Sequence, residues 1–311
     1  MRVLLLLALF GLSQALQPGY EYKYKYRGRV ATGIPNINSQ VAASAFESDV
    51  TVQVISKEDM RVQFNAILIG DMNDRVTCED KQTPSDGYEQ IKFNPLVDFL
   101  DQVASPFKVN MIGDQMKPFY FNDGDSTWVR NIKRAFVHVL HIPTAAPNLE
   151  ETPISNSPSF QRIENHPLGE CPSWYTVTPL KEHLLKFYMP APLGSDEQTD
   201  LDNTMWKMTK SVDFDNCTDS VSSHTFGLLL DGKTDNRKCG EEYVSTATTG
   251  FYVLRGGPRG VRIEKAVQEG TYVIDHDHVH TYTNQTLDLL SVTSIGSPLA
   301  VTGESQYSFK Q

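Results

Sequence analysis

The sequence predicts a mainly β protein, built as a barrel or sandwich of antiparallel strands. Three observations carry that prediction. Residues 20–30 alternate, with Tyr20, Tyr22, Tyr24 and Tyr26 on one face and Lys23, Lys25, Arg27 and Arg29 on the other. Further short apolar runs follow, separated by turn-forming clusters such as Pro84-Ser85-Asp86-Gly87, Asn122-Asp123-Gly124 and Arg255-Gly256-Gly257-Pro258. Segments with helical spacing are scarce, and many strands joined by short turns fit a barrel or sandwich better than a βαβ sheet.

Taken in order, the chain opens with Met1-Arg2, an apolar run from Val3 to Leu12, and Ser13-Gln14-Ala15. A cationic start, a short apolar stretch and small residues before a cut describe a secretory signal peptide, with cleavage expected after Ala15. Strands are expected at 20–30, 49–55, 62–69, 88–93, 107–111, 175–177, 184–188, 222–230, 243–254, 261–267, 270–282 and 287–292. Within 62–69, Val62, Phe64, Ala66 and Leu68 share one face, as a barrel core requires. Two helices are expected. One runs over 94–103, with Asn94 as cap and Pro95 in the first turn. The other starts at a Ser126 or Thr127 cap and places Val129, Ile132, Phe136, Val139 and Leu140 at helical spacing, with Pro143 as its stop. Residues 144–170 and 190–203 are polar and Pro-, Ser- or acid-rich, and are expected to be exposed loops of a single domain.

The 311 residues include 28 Lys and Arg against 38 Asp and Glu, a formal net charge of −10. That balance argues against nucleic acid as a partner. Gly and Pro are at background level, which excludes collagen-like and low-complexity chains. No segment after the signal reaches the roughly 18 apolar residues of a membrane-spanning helix. Cys78, Cys171, Cys217 and Cys239 make an even count, which in an exported chain favours two disulfides with three possible pairings. Asn284-Gln285-Thr286 and Asn216-Cys217-Thr218 are glycosylation sequons; an early disulfide at Cys217 competes with glycan addition at the second.

Three stretches then carry a resemblance. They are Tyr20–Ser39 with Thr32-Gly33-Ile34-Pro35, the block Trp128-Val129-Arg130-Asn131-Ile132-Lys133-Arg134, and Gly169-Glu170-Cys171-Pro172-Ser173-Trp174-Tyr175 followed downstream by Thr209-Lys210-Ser211-Val212-Asp213-Phe214-Asp215-Asn216-Cys217. With His224-Thr225-Phe226-Gly227 after them, their order and spacing resemble the N-terminal domain of vitellogenin, arthropod vitellogenins above all, and so the large lipid transfer protein family. The resemblance implies an antiparallel β-barrel wrapped around a central α-helix, with 129–140 as that helix and long exposed loops. It implies a Cys171–Cys217 disulfide, leaving Cys78 with Cys239. Residues 16–311 would then be one such domain. The helical and lipid-cavity domains that follow in full-length relatives are absent from the sequence given.

Lipid is the partner class the resemblance implies, together with lipoprotein-receptor repeats, which are acidic. Lys23, Lys25, Arg27 and Arg29, joined by Lys133 and Arg134, are the candidate receptor-binding residues, because a basic patch complements an acidic partner. Alternating Lys and Arg equally serve as a solvated outer face that discourages edge pairing. His276, His278 and His280 would point the same way on one strand, about 6.7 Å apart in successive pairs, and are candidate zinc ligands; three collinear imidazoles need a further ligand to surround one ion. No cofactor is required. No G-x-S-x-G, H-E-x-x-H or phosphate loop is written, so the expected class is non-catalytic. Three functions are expected in order: a secreted lipid-transport or yolk-precursor protein that binds lipid or a lipoprotein receptor, a free-standing secreted binding protein without lipid cargo that acts in body fluid or venom or sequesters zinc, and a nutrient store.

Overall fold

The computed structural model describes residues 16–33, 40–75, 92–94, 99–112, 115–142, 159–166, 169–188, 204–213, 216–217, 244–257, 260–274, 279–301 and 305–307. The strands are β1 (Tyr20–Gly33), β2 (Gln40–Val54), β3 (Asp59–Arg75), β4 (Lys92–Asn94), β5 (Phe107–Ile112), β6 (Gln115–Phe121), β7 (Ser159–His166), β8 (Gly169–Pro179), β9 (Met205–Val212), β10 (Val244–Gly257), β11 (Gly260–Ile274), β12 (Val279–Ser294) and β13 (Ser305–Tyr307). Three helices accompany them: α1 (Leu100–Ala104), α2 (Thr127–Leu140) and α3 (Glu182–Tyr188).

The strands form one antiparallel sheet in the order β13-β6-β5-β3-β2-β1-β12-β11-β10-β9-β8-β7, with β4 paired to β3 off that path. Two meanders, β1–β6 and β7–β12, are stitched along the β1–β12 ladder, which runs from Tyr20 opposite Ser294 to Gly33 opposite His280. The expected closed barrel is therefore corrected to an open sheet. Closure needs a ladder between its two ends, and among the described residues β7 and β13 are not paired with each other.

The tyrosine face of β1 is the inner face. Tyr22, Tyr24 and Tyr26 are fully buried there. A buried phenol needs an acceptor, and Tyr24 and Tyr26 donate to the Ile263 carbonyl (3.2 Å) and Gln285 Oε1 (3.0 Å). Helix α2 lies against this face. Its cap is Ser126, whose Oγ accepts from the Val129 amide at 3.4 Å. Val129, Ile132, Phe136, Val139 and Leu140 are all buried, as their spacing predicts. The Phe136 ring stands edge-on to Tyr26 (5.3 Å) and Phe64 (5.4 Å), within an apolar cluster that draws on both meanders. The helix packs on an open sheet, so the expectation of a barrel wrapped around it gives way to that description.

Several elements differ from the sequence reading, each for a physical reason. Asn94 caps no helix, because it pairs with Ile69 as the last residue of β4; α1 begins only at Leu100. Residues 184–188 belong to a helix, which brings Tyr188 edge-on to Phe251 at 5.7 Å. The expected strand 270–282 is two strands, since Ile274 and Val279 are partners across an antiparallel ladder. The supposed loop 144–170 contains β7, whose Phe160 and Glu164 are buried. The shared face of Val62, Phe64, Ala66 and Leu68 breaks after Phe64. The extra residue of a bulge lies on β3 there, where Ala66 and Ile67 stand against Ser48 alone and Ala66 sits at φ +48°, so Ile69 rather than Leu68 turns inward. The expected signal at 1–15, the strand at 222–230 and the loop at 190–203 lie outside the described residues.

Candidate functional site

The outer face of β1 lies between β2 and β12, and both neighbours supply carboxylates. Lys25 Nζ is 2.8 Å from Glu47 and 3.1 Å from Asp49. Arg27 meets Glu47 at 3.1 Å and Asp288 at 3.5 Å, and Lys265 on β11 meets Asp288 at 3.2 Å. Lys23 pairs more loosely with Glu21, at 3.7 Å. Partial burial works to lower the Lys25 pKa, but Glu47 and Asp49 outweigh it and raise it. Burial likewise works to raise Glu47, and its two cations bring it down. The basic stripe read from β1 alone is thus a lattice of both signs across four strands. Opposite charges on neighbouring strands stabilise a sheet modestly.

Lys133 is a correction to the candidate receptor set, because it is fully buried on the other side of the sheet. Its ammonium meets Asp125 Oδ2 at 2.7 Å and donates to the carbonyls of Gln102 (2.9 Å) and Ser105 (3.0 Å). These contacts tie α2 to the turn that follows α1. Burial lowers the Lys133 pKa, against the opposing pull of Asp125. Arg134 stacks over Phe121 at 5.3 Å and donates to Asn131.

A second charged cluster went unread in the sequence. Across β7–β10 the inner face carries Glu164, Tyr175, Lys210 and Tyr252, all buried. Lys210 Nζ is 2.7 Å from Glu164 Oε2, and the Tyr175 hydroxyl donates to Glu164 Oε1. Burial works to raise the Glu164 pKa, but the charges of Lys210 and His141 and the bonds from Lys210 and Tyr175 hold it at about 2. On β11, Glu264 Oε1 receives Arg255 Nε at 2.6 Å and Arg262 Nε at 2.8 Å, where the β10–β11 register shifts. The signal for Lys210 was its alternation with Trp206, Met208 and Val212, which share its inner face.

The outer face of the same strands carries large apolar side chains in water among polar ones. Gln161 lies opposite Trp174, Trp174 opposite Ser211, and Ser211 opposite Thr249, so these side chains share that face. Ile163 and Trp174 are 69% and 51% exposed. Further along, α3 covers part of the face. Lys207 lies over the rings of Tyr188 (4.7 Å) and Phe251 (5.8 Å), and Phe187 beside it is 71% exposed.

Cys171 on the inner face of β8 is joined to Cys217 by a disulfide. Asn216, the adjoining sequon residue, is exposed and bonds Asp213 at 2.8 Å. Asn284 lies mid-strand on β12 and donates to Glu269 at 3.1 Å. Of the candidate zinc ligands only His280 is described, on β12, and Cys78, Cys239, His276 and His278 lie outside the described residues. Among the described residues no group of three His, Cys, Asp or Glu is placed to hold a metal, and no helix is long and apolar enough to cross a membrane.

Comparison with known proteins agrees with this architecture. The family model of the vitellogenin N-terminal domain matches residues 16–297. The hemolymph clottable protein of Penaeus monodon is 29% identical, over 96% of this chain and 20% of its own length. Vitellogenin-2 of Caenorhabditis elegans is 23% identical over 82% of this chain, and vitellogenin of Bombyx mori 22% over 88%. The chain spans about a fifth or less of these relatives. A solved structure of lipovitellin, which concerns lipid–protein interactions, superposes over 93% of this chain and 27% of its own with a TM-score of 0.64 at 14% identity. A family match over nearly the whole chain and a shared fold place it: the chain belongs to the vitellogenin N-terminal domain family.

Proposed function

We propose that this chain is a secreted, non-catalytic protein of lipid transport and yolk provisioning. The observation that carries the reading is the family match over residues 16–297 together with the lipovitellin-like sheet. An extracellular setting is supported by the Cys171–Cys217 disulfide and by the hemolymph protein among its relatives. Between α2 and β1–β3 the rings of Phe136, Tyr26, Phe64 and Phe46 meet edge-on, so lipid is assigned elsewhere than that interface. Docking of an acidic receptor repeat on the β1 face would have to displace Glu47, Asp49 and Asp288 from cations they already hold. That face is therefore not where the reading puts its weight. The test is native mass spectrometry of the purified secreted protein, with lipid extraction and metal analysis of the same sample. Near-stoichiometric phospholipid or neutral lipid is the expected result. A lipid-free chain with stoichiometric zinc would replace this reading with that of a metal-binding secreted protein.

A further inference from the structure

The outer face of β7–β10, with α3 lying across it, differs from every other surface described. Its apolar side chains are large and in water: Ile163 and Trp174 at one end, Phe187 at the other. Exposed side chains of this size on one side of a sheet and on the helix that lies across it mark an interaction surface more often than chance exposure does. Its cations differ as well. Lys181 and Lys186 are exposed, and neither they nor Lys207 has a carboxylate partner among the described residues, whereas Lys25, Arg27 and Lys265 are all paired. Glu170 and Asp213 stand at the Ile163 end, away from these lysines.

Exposed lysines without a carboxylate partner, beside exposed aromatic rings, are the chemistry of a water–lipid interface. The rings sink to headgroup depth, lysine stems bury their methylenes, and the ammonium groups meet phosphates. We infer that the outer face of β7–β10 and α3 is a docking surface for an anionic phospholipid layer, with Trp174 and Phe187 as its apolar anchors and Lys181 and Lys186 as its phosphate contacts. The inference deepens the proposed lipid role and rests on that reading. It places the lipid surface outside the sheet, opposite the packed face. On a protein of net charge −10 such a local patch orients the approach, and its grip weakens with salt.

The test is flotation of the full chain with vesicles of phosphatidylcholine containing about one-third phosphatidylglycerol, against pure phosphatidylcholine. Retention on the anionic vesicles should exceed that on neutral ones about tenfold, and the Lys181→Glu/Lys186→Glu double variant should lose about tenfold of it. Trp174→Ser/Phe187→Ser removes the apolar anchors instead and should lose a similar factor. Lys23→Glu, on the opposite meander, should leave retention unchanged. Equal retention of the two vesicle types, or of the double variants and the parent, overturns the inference. So does concentration-dependent self-association abolished by Trp174→Ser, which would assign the face to a second copy of the chain. Vesicle binding by a chain that carries no extractable lipid would refute the cargo reading alone. Extractable lipid without vesicle binding would refute this inference alone.

Discussion

Along β1 the inner face carries Tyr22, Tyr24 and Tyr26 and the outer face a lattice of ion pairs; along β7–β9 the inner face carries Glu164 with Lys210 and the outer face leaves Ile163 and Trp174 in water. Both regions belong to one sheet and have the same antiparallel pairing. What differs is which parity of the strand carries charge. In the first region the arrangement explains itself energetically: apolar rings leave water, and charges meet at the surface. In the second, two desolvated charges are retained by mutual attraction and by the Tyr175 hydroxyl. A buried pair of that kind is tolerable only while both partners are present. The difference teaches that the β1–β3 region is arranged for packing, whereas the β7–β10 region forgoes some packing advantage on both faces, as surfaces kept for a partner do.

The comparison breaks most visibly in the β7–β10 interior. Lys210→Ala leaves the Glu164 carboxylate buried and alone, and should cost about 3–5 kcal/mol in denaturant unfolding. Replacing both members, as Glu164→Leu/Lys210→Met, should recover most of that loss. If the double variant is as unstable as the single one, the pair is not the determinant. In the β1–β3 region the matching probe is Phe136→Ala, which removes the ring that fits between Tyr26 and Phe64 and should cost about 3–5 kcal/mol with no partner change that repairs it.

Acid should separate the halves next. The Glu164 pKa is held at about 2 in the folded chain against 4.5 unperturbed. A carboxyl depressed in the folded state contributes its stability above the unperturbed value and loses it as pH falls toward the folded one. Unfolding midpoints of the parent should therefore drop between about pH 5 and 2, and those of Glu164→Gln should fall less over the same range. Equal pH slopes would contradict the assignment.

The outer lattice should respond less than either interior. Lys25→Ala should cost under about 1 kcal/mol, and roughly 1 M salt should shrink the difference further. A loss of several kcal/mol would mean that the lattice is structural in a way its exposure does not suggest. Ala66→Gly should be smaller still, within about 1 kcal/mol. Relief of the positive φ is offset by the greater freedom glycine gives the unfolded chain.

Strand content and the capped helix at 127–140 were legible because both rest on local periodicity: two residues for β1, helical spacing for α2. The open sheet was not legible, since closure depends on whether β7 and β13 meet, a contact between distant parts of the chain. Helix α3 was misread because Leu184, Leu185, Phe187 and Tyr188 are too short a run to distinguish periods. Lys133 shows the limit for sites. Its basic block reads as surface, yet the turn at Asp125 and the carbonyls that end α1 wait for its ammonium. The β1 stripe was read correctly as outward-facing, but its neutralisation lies on β2 and β12, which pair with it from both sides. Trp174 carried a readable signal, being a large aromatic on the parity opposite Cys171, Ser173 and Tyr175.

Depth-resolved quenching of tryptophan fluorescence by brominated phospholipids tests the central contrast most directly. Trp206 is buried and Trp128 packs against the core, so Trp174 is the exposed indole of the three. The expected result is quenching on anionic vesicles that disappears in Trp174→Phe and persists in Lys23→Glu. Vesicle-bound protein whose Trp174 emission is untouched by the brominated lipid would contradict the account.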